Sequence, residues 1–206
     1  MVPFVVPIIL TSDDAEAQAL RMAMAGLGER IESMWLNWQF PVSVARQGER
    51  RAWRPRSDYP ADGNLLLHTL GREHHRPGGG AVWFPCADIL LFLWRGFDDG
   101  FGGLGAQDGA EGRGYALLGD RHLDALLTGR RDDRLPEGVP EWLVAGAACH
   151  EIWHALGSPG RDTTDPNMHT RDARPDIGLD WWLAPNVMLT AKPDDSLLRN
   201  LEALRA

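Results

Sequence analysis

Two histidines four residues apart with a glutamate between them, in His150-Glu151-Ile152-Trp153-His154, are the residues of this chain best equipped for chemistry. On a helix, positions i and i+4 share a face one turn apart, so both imidazoles can offer a nitrogen to the same point. A pair of neutral ring nitrogens set this way suits a divalent metal such as zinc. The carboxylate of Glu151, beside the first histidine, is placed to take a proton from a water held there. A bare H-E-x-x-H also occurs in helices that bind nothing, so the surrounding residues have to decide.

Residues 139–157 carry the signs of such a helix. Trp142, Ala145, Cys149, Ile152 and Leu156 recur at helical spacing as an apolar stripe, while Gly146, His150, His154 and Gly157 fall on another face with little bulk above the imidazoles. The expectation is a helix that packs through one face and coordinates through the other. Pro140 lies near its start, where a missing N–H costs little, and Gly157-Ser158-Pro159-Gly160 ends it sharply.

Catalytic zinc takes three protein ligands and keeps a fourth position for water, so one ligand is still to be found. A distant glutamate is disfavoured, because Glu202 is the only glutamate after Glu151. The run H-E-x-x-H-x-x-G from His150 to Gly157 resembles the opening of the metzincin peptidases, whose third ligand would stand where this chain has Gly160. Glycine has no side chain to offer. Two residues later, Asp162-Thr163-Thr164-Asp165-Pro166-Asn167-Met168 resembles the matrixins, the matrix metalloproteinase-like metzincins, in which the third ligand precedes Ser-x-Asp-Pro and the methionine of the Met-turn. The resemblance implies zinc held by His150, His154 and Asp162, with Met168 packed beneath the imidazoles. His169 and Asp165 remain alternative third ligands. Trp153 stands where the common form of the motif has glycine; it either crowds the site or joins the core.

The resemblance covers most of the chain. DDGFGGLGA at 98–106 looks like the matrixin D-G-x-G-G loop and edge strand, Gly119-Asp120-Arg121-His122-Leu123-Asp124 looks like G-D-x-H-F-D, and residues 189–204 look like the closing helix. It implies an α+β, metzincin-like (zincin) fold: a twisted mixed sheet with two long helices behind it, the HExxH zinc helix beneath the cleft, and a small C-terminal subdomain. Residues 1–206 are then one catalytic domain, divided into an N-terminal portion (residues 1–157) and a C-terminal portion (residues 158–206). By the same matching, Asp99 and Asp124 fall on calcium ligands and His122 on a structural-zinc ligand. The histidine of the family's L-A-H-A strand has no counterpart at Leu104-Gly105-Ala106, so structural zinc is not expected and calcium, through oxygen ligands, is the second candidate metal.

The rest of the sequence is consistent with one cored domain of 206 residues. Its 29 acidic against 21 basic residues give a net charge of −8, and the arginines at 50, 51, 54 and 56 are dispersed, which argues against a nucleic-acid surface. VPFVVPIIL at 2–10 is short, lacks a preceding basic region and contains Pro3 and Pro7; it reads as a strand rather than a signal peptide or membrane anchor. The expected location is cytoplasmic, or secreted if a leader has been removed. Two cysteines, Cys86 and Cys149, provide no disulfide framework, and Cys149 in the apolar stripe reads as an inert core thiol.

Local patterns predict a strand at 4–10, N-cap residues at 11–14, and a helix to about residue 38 with Leu20, Met24, Leu27, Ile31 and Trp35 in register. Further strands are predicted at 41–46, at 64–70 and from residue 87. His74 and His75 then fall in a polar, glycine-rich loop, where adjacent histidines are usually solvated.

The function implied is zinc-dependent endopeptidase activity, hydrolysing peptide bonds through a zinc-bound water with Glu151 as general base. Its partners would be an extended peptide or protein substrate and a protein inhibitor, with no nucleic acid or membrane. The substrate would lie along the strand at 102–106. Trp181, Trp182 and Leu183 would either wall a side-chain pocket or fill the core. The alternatives are a metzincin-like metal-binding or protein-interaction domain without catalysis, and a different zinc hydrolase whose aspartate ligand comes later, at Asp176 or Asp180.

Overall fold

The computed structural model describes residues 2–37, 41–46, 49–52, 59–75, 88–97, 103–108, 113–128 and 139–156. In chain order they form β1 (Phe4–Thr11), α1 (Asp14–Asn37), β2 (Ser43–Val44), β3 (Glu49–Ala52), α2 (Gly63–His75), β4 (Ile89–Trp94), β5 (Gly103–Asp108), β6 (Arg113–Leu118), α3 (Asp120–Thr128) and α4 (Val139–Ala155). The class is α+β with a mixed sheet, as expected. No helix among the described residues is long and apolar enough to cross a membrane.

The sheet runs β2-β1-β4-β6-β5, with β3 also pairing to β1. All pairings are parallel except β5 with β6, which is antiparallel. Strands β1 and β4 lie inside the sheet and are buried on both faces, which explains their continuous apolar runs PIIL and ILLFLW.

Pro7 sits inside β1, where a missing N–H would normally break the ladder. Phe4 and Leu10 give their carbonyl oxygens to the β4 side, at 3.0 Å from the Asp88 and Arg95 amides. Pro3 and Val5 give theirs to the β2 side, at 2.9 Å from the Ser43 and Ala45 amides. Alternate residues therefore serve alternate neighbours, and Pro7 faces the β2/β3 side. There β1 is paired through Val5 to Val44 and next through Ile8 to Glu49, so the proline falls in the gap between two pairings.

The two sheet faces carry separate cores. Val5, Ile9, Ile89, Leu91, Leu93, Ala116 and Leu118 pack with α1, α3 and α4. The alternate residues, among them Val6, Ile8, Leu90, Phe92, Tyr115 and Leu117, pack with Leu66, Leu67 and Leu70 of α2. The two long helices α1 and α4 thus share one side of the sheet. Helix α1 begins where Asp13 Oδ1 accepts the Glu16 amide at 2.9 Å and Thr11 Oγ1 donates to Glu16 Oε2 at 2.7 Å. These are two of the capping residues read from the sequence.

One predicted strand is a helix. Residues 64–70 belong to α2, on the sheet face opposite α1 and α4. Short apolar runs such as LLL do not distinguish the two by periodicity. The outcome rests on Leu66, Leu67 and Leu70 recurring on one helical face, all buried, and on Asp62 Oδ1 accepting the Leu65 amide at 2.9 Å as an N-cap. His74 and His75 consequently lie on this helix and not in a loop; His74 is buried with its ring 5.3 Å from that of Phe92.

Candidate metal centre

Helix α4 carries the site. Ala145, Cys149, Ile152 and Leu156 are buried as the stripe predicts, but so are Val144, Gly146, Ala147, Ala148 and Trp153. The helix is enclosed on most of its circumference because α1 and α3 flank it while β5 and β6 lie against it. The expected division into a packing face and an open coordinating face is therefore too simple. The small side chains at 145–148 allow this close approach, and His150 and Glu151 are left half-buried.

The Nε2 atoms of His150 and His154 lie 3.1 Å apart, with the rings perpendicular at 89° and their centroids 4.7 Å apart. Two nitrogens each about 2.05 Å from one tetrahedral zinc would be separated by about 3.3 Å, so the pair needs almost no rearrangement to share a metal. Both Nδ1 atoms are buried, leaving the Nε2 atoms as the pair that converges. One ligand atom from each of His150, Glu151 and His154 falls within 4.8 Å of the others. Among the described residues this is the one group of three such side chains, and it can hold a metal ion.

Trp153 belongs to the core, at 2 % exposure. Its ring centroid is nevertheless 4.8 Å from that of His154 and 6.2 Å from that of His150. It flanks the imidazoles from the packed side, so the alternatives read from the sequence meet in one side chain that fills the core and walls the site.

The other wall is glycine. On β5, the last strand of the sheet among the described residues, Gly103 and Gly105 face α4. A Cβ on Gly103 would lie 2.7 Å from Glu151 Oε1, and one on Gly105 would overlap the carbonyl oxygen of Glu151 and come within 2.7 Å of His154 Cβ. A third glycine, Gly114 on β6, meets Ala155 in the same way. Residues 102–106, read from the sequence as an edge strand for substrate, thus have a second role that the sequence reading does not include. The available signal was the alternation G-L-G, which puts both glycines on one face of a strand.

Asp124 lies on α3, where its Oδ1 accepts a hydrogen bond from Arg95 Nη1 at 2.6 Å. The same guanidinium donates through Nε to Glu16 Oε1 at 2.6 Å and reaches Asp120 Oδ1 at 3.3 Å. Burial alone would lower the pKa of Arg95, but the hydrogen bonds and charges of Asp124 and Glu16 outweigh it and raise the pKa. His122 is buried on the same helix. Asp99, the other expected calcium ligand, lies outside the described residues. So do Asp162, Asp165, Met168 and His169, the later aspartates Asp176 and Asp180, the Trp181-Trp182-Leu183 segment and the predicted closing helix.

The chain matches no protein-family model and no curated protein.

Proposed function

We propose that the chain is a zinc-dependent endopeptidase resembling the matrixins, with His150 and His154 as two zinc ligands and Glu151 as general base. The observation that carries the reading is the convergence of the two Nε2 atoms at 3.1 Å beside the Glu151 carboxylate on one helix. The mixed sheet, with two long helices on one side and the antiparallel strand β5 at its edge beside α4, supports the same reading. Asp162 is the proposed third ligand, on the strength of the sequence pattern, with His169 and Asp165 as alternatives.

Zinc in this position supplies Lewis acidity, making water a stronger acid and the scissile carbonyl more electrophilic. The protein's own residues do the rest. Glu151 accepts the proton of the attacking water and returns it to the departing amine nitrogen, so one carboxylate serves both transfers. The outer edge of β5 holds an extended peptide through backbone hydrogen bonds, in the manner of an added strand. Trp153 and the packed helices restrict water on the inner side of the imidazoles, where a lower dielectric strengthens the electrostatics.

The proximity of Glu151 to both histidines also supports a second reading, in which its carboxylate is itself a ligand and the chain is a metal-binding domain without catalysis. The Glu151→Gln variant separates the two. With Glu151 as base, the variant keeps its zinc in equilibrium dialysis and loses cleavage of casein or a quenched-fluorescent peptide by roughly 10²–10⁴-fold. Loss of zinc together with activity identifies a ligand, and unchanged cleavage overturns the mechanism.

A further inference from the structure

We infer that Gly103 is a positioning residue for the Glu151 carboxylate, its missing side chain being the recess in which that carboxylate is held. This deepens the peptidase reading and, for its catalytic consequence, rests on it.

The two glycines of β5 act differently. At Gly105 the close contact is with backbone: an added Cβ would overlap the Glu151 carbonyl oxygen and crowd His154 Cβ. That contact sets how closely β5 approaches α4, and nothing in it can swing aside. Two residues earlier on the same strand face, the contact is with a side chain. A Cβ on Gly103 would lie 2.7 Å from Glu151 Oε1 and 3.1 Å from Glu151 Cγ, against 3.1 Å from the carbonyl oxygen of Leu117. Gly103 is itself buried, so the space its side chain would need is already taken. The carboxylate thus lies over the bare backbone of an outer strand while its Cα is anchored on the metal helix.

A glutamate has three rotatable side-chain bonds, and on an open helix face it would sample many positions. Here the backbone of β5 at Gly103 removes those that lean further towards the strand. The carboxylate is confined beside the imidazoles, where a base must be pre-placed. Because a displacement of about 1 Å at a reacting group can cost on the order of 10²-fold in rate, the absent methyl at position 103 has catalytic weight through the carboxylate it leaves room for.

The test is a double-mutant cycle on the full chain, read first in metal-free protein. Gly103→Ala should lower the Tm by roughly 5 °C, as expected for moderate overpacking in a chain of this length. In a Glu151→Ala background the same change should lower it by less than half as much, because the group it collides with is gone. Equal losses in both backgrounds would show that Gly103 answers only to the Leu117 backbone and overturn the inference. If Gly103→Ala does not fold, recovery of the fold in Gly103→Ala/Glu151→Ala supports the inference, and failure to recover overturns it.

The second measurement uses zinc-loaded protein. Gly103→Ala should retain its zinc and a KM within about twofold of wild type while kcat falls roughly 10- to 100-fold. An unchanged kcat overturns the positioning role and leaves the peptidase reading intact. Should the wild-type protein cleave no peptide, the peptidase reading falls, and the thermal cycle still decides whether Gly103 holds the carboxylate.

Discussion

The backbone of Glu151 lies against the backbone of Gly105, so closely that a Cβ on the glycine would lie 2.3 Å from the glutamate's carbonyl oxygen. Helix α4 is thereby seated directly on the strand backbone at Gly105, and the His150–His154 pair is fixed relative to β5. Gly105→Ala should destabilise the fold by about 3 kcal/mol, since relief needs a shift of the helix rather than a change of rotamer. Gly96→Ala provides a contrast. Gly96 has a φ of 96° and open space around its Cβ position, so its cost is conformational, about 1–2 kcal/mol. Urea unfolding of both variants checks the ranking, and the reverse order would place the tight contact elsewhere.

Metal binding should require both histidines. Added zinc is expected to raise the Tm of the wild-type chain, by linkage worth about 2.7 kcal/mol when the free metal is at about 100 times its Kd. His150→Ala and His154→Ala should each abolish most of that rise. Asp162→Ala should weaken zinc retention against a mild chelator sharply, whereas His169→Ala should not. The opposite ranking would make His169 the third ligand.

How much of this was legible in the sequence depends on the range of the interactions involved. The convergence of His150 and His154 was legible because i and i+4 define a helical face locally, and α1 because Leu20, Met24, Leu27, Ile31 and Trp35 repeat at helical spacing along its length. Residues 64–70 were misread because a run of leucines has no period, and its helical state is decided by Asp62 and by burial against the second sheet face. The role of Gly103 and Gly105 was missed because it is fixed by a helix about 45 residues further on, which no local pattern announces. Trp153 was ambiguous for a related reason: a helix enclosed by α1, α3 and the sheet leaves no clear line between core and site.

Arg95 should behave as a clamp between elements. It directly follows β4 and holds Glu16 at the start of α1 together with Asp120 and Asp124 of α3. Glu16 is the most enclosed of the three carboxylates, with 18 % of its side chain exposed against 52 % for Asp124. Arg95→Met should therefore cost about 1–2 kcal/mol, mostly through the Glu16 carboxylate left behind, while Asp124→Asn should cost less than about 1 kcal/mol. The same ranking should survive in high salt, which screens the exposed pair more than the enclosed one. Equal costs measured by chemical denaturation would show that the Asp124 pair, and not the more enclosed Glu16 pair, carries the clamp.

The thiol of Cys149 should make stability fall in alkali. It is fully buried between α4 and α1, with Sγ 3.6 Å from Met34 Sδ and 3.9 Å from the Ile31 carbonyl oxygen, and burial pushes its pKa far above the ordinary thiol value. In the unfolded chain the same thiol ionises near pH ~8.5. Above that pH the unfolded state has lost a proton that the folded state still binds, so the protons bound on unfolding decrease and the free energy of unfolding declines as pH rises. The contribution is fully present below the unfolded pKa and is lost above it, approaching a slope of about 1.4 kcal/mol per pH unit. Cys149→Ala should be less stable than wild type at neutral pH, because it leaves a small cavity, yet its stability should decline less steeply between about pH 8.5 and 10. Comparing the two slopes by urea unfolding cancels the other ionisable groups, among them Cys86 and Lys192, which both proteins share. Parallel slopes would mean that the folded protein lets Cys149 ionise as readily as the unfolded chain does, and that the contact between α1 and α4 opens in alkali before the protein unfolds.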